Sequence, residues 1–152
     1  MRNKIFLPLV FFALAGIAFA SAQSNELIDK LLSEKEAAFG DTAMIVLSAG
    51  GVLTEKAAVD DALKYISENY RRFPGKSADS SITASEFSFL LMKTLKLKGG
   101  IMYMLIPGPR YAYKELVYRK AISPKGGPYR KIAGEDVIRS LRDVLDAEEA
   151  EK

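Results

Sequence analysis

The strongest constraint on this fold is a pattern that occurs twice. In Gly75–Leu97 a polar loop leads to Ile82, then to Thr83-x-x-Glu86, then to an apolar run opening at Phe87. Later, another polar loop leads to Ile132, then to Gly134-Glu135-Asp136, then to Val137-Ile138-x-x-Leu141. Thr83-x-x-Glu86 is a capping box, in which hydroxyl and carboxylate each satisfy an end N–H of the helix. Phe87, Leu90, Leu91 and Leu95 then share one helical face, and Val137, Ile138, Leu141, Val144 and Leu145 do the same. Two helix–loop–helix units follow, 54–97 and 109–147. No third copy is clear.

The remaining chain reads as helices and connectors. Asn25 caps a helix over Glu26–Phe39 that Gly40 stops, and Thr42–Ala49 is a short apolar helix. Thr54 opens the next, whose stripe is Val59, Ala62, Leu63, Ile66 and Tyr70, with Arg71-Arg72 in its last turn before Pro74-Gly75. Ile101–Ile106 is a compact apolar connector. Pro107-Gly108-Pro109 turns the chain into a helix with Tyr113, Leu116, Val117 and Ala121 inward. Glu135–Ala147 closes the fold, and the acidic tail 148–152 frays. The expected fold class is all-α: one small domain, 23–147, of about five to six helices including the two helix–loop–helix units.

The N-terminus belongs to export rather than to the fold. Met1–Lys4 carries two cations, Ile5–Ala20 is apolar apart from Pro8, and Ala18–Ala22 supplies small residues for cleavage. Residues 1–22 form a secretory signal peptide, cut after Ala22, with an uncleaved anchor as the alternative. The apolar stretch is short for a membrane span, which needs about 20 residues, so no transmembrane span is expected after cleavage. The protein is then exported, periplasmic or extracellular. It has no cysteine and no histidine, which excludes disulfides, thiol nucleophiles, histidine-based triads and imidazole or thiolate zinc sites.

In register, Ile82, Glu86 and Phe87 match the eighth, twelfth and following positions of an EF-hand loop, and Ile132, Asp136 and Val137 match them again. The pair resembles a degenerate EF-hand pair, which implies that the two isoleucines meet through a short β-bridge. Its calcium positions one, three and five read Gly75, Ser77 and Asp79, then Lys125, Gly127 and Tyr129. Calcium needs six to eight oxygens. Asp79 and Glu86, the metal candidates, supply too few, so no cofactor is expected. Ser81–Phe87 is also similar to the T-R-x-E-F segment of S-layer homology modules, which bind cell-wall polymers, with Ala84 at the arginine's position.

Charge is unevenly distributed along a chain of net charge +3. Lys93–Lys131 holds 10 lysines and arginines against one acid, Glu115, while both flanking stretches are acidic. Within it, Tyr111, Lys114 and Tyr118 share a helix face, flanked by Arg110, Arg119 and Lys120, and Tyr129, Arg130 and Lys131 follow in the loop. Arginine binds anions bidentately, and tyrosine gives rigid contact area with a hydrogen bond. The same residues could equally plug the domain's edge and keep it soluble. These nine residues form the candidate binding surface for a cell-envelope protein, anionic polymer or headgroup. Export argues against nucleic acid. The expected function is non-catalytic binding or an accessory role in the envelope. The alternatives are a carboxylate-dependent hydrolase using Glu86 or Glu115, and a purely structural subunit.

Overall fold

Ile82 and Ile132, which precede the two repeated caps, lie side by side: the N–H of Ile132 donates to the carbonyl of Ile82 at 3.1 Å. Both side chains are fully buried. This pair is one side of a triangle. The N–H of Ile82 donates to Ala37 O at 3.0 Å, and the N–H of Ala37 donates to Ile132 O at 2.8 Å. Each of the three segments therefore gives one backbone bond and receives one.

A computed structural model describes residues 24–151 apart from 55 and 74; the segment 1–22, read from the sequence as a signal peptide, lies outside them. The helices are α1 (24–33), α2 (Phe39–Ala49), α3 (Val59–Asn69), α4 (Ala84–Thr94), α5 (Ile101–Leu105), α6 (Pro109–Tyr118) and α7 (Gly134–Ala150). The protein is all-helical; among the described residues the only β pairing is two isolated bridges, Ala38 with Ser81 and Thr83 with Lys131. No described helix is long and apolar enough to cross a membrane.

The triangle reveals a third unit. Helices α2, α4 and α7 each begin two residues after a corner of it, at Phe39, Ala84 and Gly134. The first N–H groups of a helix have no partner within it, and here the neighbouring unit supplies one. Phe39 N–H bonds Ser80 O at 2.8 Å, Ala84 N–H bonds Arg130 O at 2.9 Å, and Gly134 N–H bonds Glu34 O at 3.0 Å. Asp41, Glu86 and Asp136 occupy the same place in the first turn, where an anion suits the helix dipole. Each is paired with a cation from its own unit: Lys30 at 2.5 Å, Lys76 at 2.8 Å and Arg130 at 3.4 Å. The chain thus folds as three units joined in a ring, α1–α2, α3–α4 and α6–α7, with α5 added between the second and third.

Several boundaries differ from the sequence reading, each for a tertiary reason. Gly40 does not end a helix but lies in the first turn of α2, where a Cβ would come within 2.6 Å of Val59 and 2.9 Å of Ala78. The first helix ends at residue 33, because Glu34 turns back to accept from Ala38 N–H. Helix α3 starts at Val59 rather than after Thr54, since Asp61 accepts from the N–H of Ala58 at 2.9 Å and fixes the cap there. It ends at Asn69, leaving Arg71 and Arg72 in the following turn. Helix α7 continues to Ala150, with Glu148 paired to Arg119 at 3.5 Å.

Helix α4 is the centre of the molecule. Phe87, Leu90 and Leu91 are fully buried as spacing predicts, but Ser88, Phe89 and Met92 on other faces are buried as well. It packs most extensively on α6, while α2 packs on α3. Phe73, from the loop after α3, bridges Phe39 and Phe89 with ring centroids 5.3 and 5.8 Å apart. A helix apolar all round belongs in the interior, and α4 has the other units wrapped about it.

Candidate functional site

Helix α6 projects the basic, tyrosine-rich surface because its opposite face is consumed by the core. Pro109 sits at the first helical position after Gly108, Ala112 and Leu116 are fully buried, and Tyr113 donates its hydroxyl to Pro124 O at 3.2 Å. That last bond ties the helix to the loop before α7. On the outer face Lys114 lies over the Tyr111 ring, with Nζ 5.7 Å from its centroid. Tyr118 is 84% exposed and Tyr129 76% exposed. Arg110, Lys114 and Lys120 are exposed and enter no ion pair among the described residues.

The other cations of the set serve the fold. Arg119 bonds Glu115 at 3.2 Å, Glu148 at 3.5 Å and the Lys98 carbonyl. Arg130 pairs with Asp136, and Lys131 donates to Ser81 O at 3.3 Å across the ring of units. The nine residues thus divide into an outward group (Arg110, Lys114, Tyr118, Lys120 and Tyr129), a half-buried Tyr111 packed against the core, and three internal ties. Beside the end of α6 a cleft of about 430 Å³ is bordered by Lys120, Arg139 and Asp143 and floored by Ala121, Ile122 and Pro124. Lys120 has φ 60°, a left-handed backbone that glycine ordinarily takes at a helix C-terminus.

The connector before α6 is not buried. In α5 only Tyr103 turns inward, 9% exposed, while Ile101, Met102, Met104, Leu105 and the following Ile106 are 54–70% exposed. Its attachment is nonetheless specific. The Glu115 carboxylate accepts from Gly100 N–H at 2.9 Å, and Arg119 holds the Lys98 carbonyl. Gly99 makes room for the Tyr103 ring, which a Cβ would meet at 2.4 Å. An apolar hexapeptide reads as core when only composition is weighed. The clue to the contrary was its flank of Lys93, Lys96, Lys98, Arg110 and Lys114 without an acid.

Glu86, the strongest carboxylate candidate, is fully engaged. Its Oε2 accepts from the Thr83 N–H and hydroxyl, both at 2.9 Å, while Lys76 Nζ lies 2.8 Å from Oε1. Burial pushes its pKa up, but the hydrogen bonds and charge of Lys76 and the bonds from Thr83 outweigh that and hold it below the usual glutamate value. Glu115 is occupied by Gly100 and Arg119. Asp79 is exposed on the loop, and no cluster of three or more metal-ligating His, Cys, Asp or Glu occurs among the described residues. A second cleft, about 330 Å³ between α1, α2 and the segment before α3, is lined chiefly by Leu27, Met44, Ile45, Ala57 and Val59 with Lys56 at its edge.

The geometry defines a class of object: a ring of three helix–loop–helix units that presents a cationic, tyrosine-bearing helix and an adjoining exposed apolar turn. No family model, no curated protein and no solved structure matches the chain.

Proposed function

We propose that this protein is an exported, non-catalytic binding or accessory protein of the cell envelope, periplasmic or extracellular, which engages an anionic partner through the outer face of α6. The observation that carries this reading is the division of its cations. Arg110, Lys114 and Lys120 stand exposed without a carboxylate partner among the described residues, beside the exposed rings of Tyr118 and Tyr129. The single acid of the stretch, Glu115, is spent on Gly100 and Arg119. Exposed unpaired cations raise the local concentration of an anionic partner, and flanking phenols add contact area at low entropy cost.

The test replaces Arg110, Lys114 and Lys120 together by glutamine and compares binding to envelope fractions at two salt concentrations. Arg119 is left intact because it holds Lys98, Glu115 and Glu148 in place. The variant is expected to bind more weakly and to lose most of its salt dependence. Equal binding by both proteins rejects the surface. A hydrolase built on Glu86 finds no support in the geometry, since Thr83 and Lys76 engage both of its carboxylate oxygens.

A second reading is favoured by the third unit. S-layer homology modules, to which Ser81–Phe87 is similar, are repeated and bind wall polymers, and the ring through Ala37, Ile82 and Ile132 supports a triple-repeat architecture of that kind. Retention on purified wall polymer but not on protein-bearing membrane fractions would select it.

A further inference from the structure

Five large apolar side chains stand in water on a turn and a half of helix that is itself firmly anchored. Ile101, Met102, Met104, Leu105 and Ile106 are each more than half exposed, yet Tyr103 is buried beneath them against Gly99, and Glu115 and Arg119 pin residues 98–100. Loose packing does not account for this, because the attachment points are all made. A contiguous exposed apolar patch on a folded domain marks an interaction surface.

What covers it follows from its surroundings. Lys96 and Lys98 precede α5, and Arg110 and Lys114 follow it. Arg72 lies over the turn between, its guanidinium 3.9 Å from where a Gly108 Cβ would stand. Between Lys93 and Lys114 there is no acid. Lys96 holds φ 55°, where the corresponding end of α2 places Gly51 at φ 68°. A cation is thus kept at a position whose backbone favours glycine. A second copy of the chain does not fit, because a two-fold contact through this patch would set the same cations against themselves. An apolar knob within a cationic collar has the chemistry of an anionic lipid surface: side chains enter the acyl boundary and lysines and arginines stay with the headgroups.

We infer that α5 is a membrane-docking element that inserts Ile101, Met102, Met104, Leu105 and Ile106 into an anionic phospholipid surface while Lys96, Lys98, Arg110 and Lys114 hold the headgroups. It rests on the proposed function for the anionic character of the partner and adds its identity as lipid.

The experiment is flotation of the exported protein with vesicles of phosphatidylcholine alone and of equimolar phosphatidylglycerol and phosphatidylcholine. The wild type floats with the anionic vesicles and at least about tenfold less with the neutral ones. Replacing Ile101 and Leu105 together by serine lowers affinity for the anionic vesicles at least about tenfold. The thermal midpoint is unchanged or higher, because both side chains are 70% exposed. The chain has no tryptophan, so Leu105→Trp supplies a single reporter whose emission shifts to the blue on insertion. Equal flotation of wild type and the serine variant overturns the inference, as does an unshifted emission. Loss of a concentration-dependent dimer in the serine variant, with no flotation by the wild type, overturns it in favour of self-association. If the glutamine variant loses envelope binding while the serine variant keeps its vesicle affinity, the α6 surface stands and the lipid assignment falls.

Discussion

Glu86 is the residue at which local and global order meet. It closes the cap of the central helix and pairs with Lys76, and the ion pair requires its carboxylate to be charged. Replacing it by glutamine is expected to cost about 1–2 kcal/mol at neutral pH. Its folded pKa lies below the unfolded one, so that stabilisation is complete above the ordinary glutamate range and is lost as pH falls through the lowered folded value. Denaturant titrations of wild type and Glu86→Gln should therefore differ at pH 7 and converge in acid. A constant difference would assign the effect to shape rather than charge. This residue was legible in the sequence because a capping box is local: Thr83 and Glu86 are three apart. Gly40 was not, because its reason lies in Val59 and Ala78, which only the folded chain brings near.

Among the elements, those whose apolar periodicity faces one neighbour were readable, as α6 and α7 show with Leu116, Val137 and Val144 all buried. Two features escaped. The segment α5 reads in the sequence only as a compact apolar connector, because hydrophobicity alone does not say whether a run has anything to pack against. Helix α1 looked like a continuous run to Phe39, because the turn at Glu34 depends on its carbonyl receiving the N–H of Gly134 from the far end of the chain. The approach of α1 to α7 there is close enough to be tested. A Cβ on Gly134 would stand 1.7 Å from Leu31 O, and backbone cannot yield as a flexible side chain can. Gly134→Ala is expected to destabilise by about 1–3 kcal/mol, measured by denaturant titration. A neutral effect would show that α1 can move away without loss, and that the bond to Glu34 contributes little.

For the whole molecule the decisive feature is the triangle of backbone bonds. Its two isoleucine corners were legible, since each precedes a recognisable helix start. The third was hidden because Ala37 replaces isoleucine and Ala38 cannot cap with a side chain; only Asp41, matching Glu86 and Asp136, recorded the repeat. Ile82→Asp would bury a charge where three units converge and is expected to destabilise by at least about 3 kcal/mol. An unchanged melting temperature would remove Ile82 from the shared centre. Closure also sets an order of events for a chain made from its N-terminus. The ends of α2 and α4 and the turn at Glu34 all wait on Ser80, Arg130, Ile132 or Gly134. Until Arg130 and Ile132 have been synthesised, the first N–H of α4 and the corner at Ala37 lack their partners, and the turn at Glu34 waits on Gly134. In such a nascent chain the helices can pack before the ring exists, and the triangle passes from open to closed only when residues 130–134 have been made.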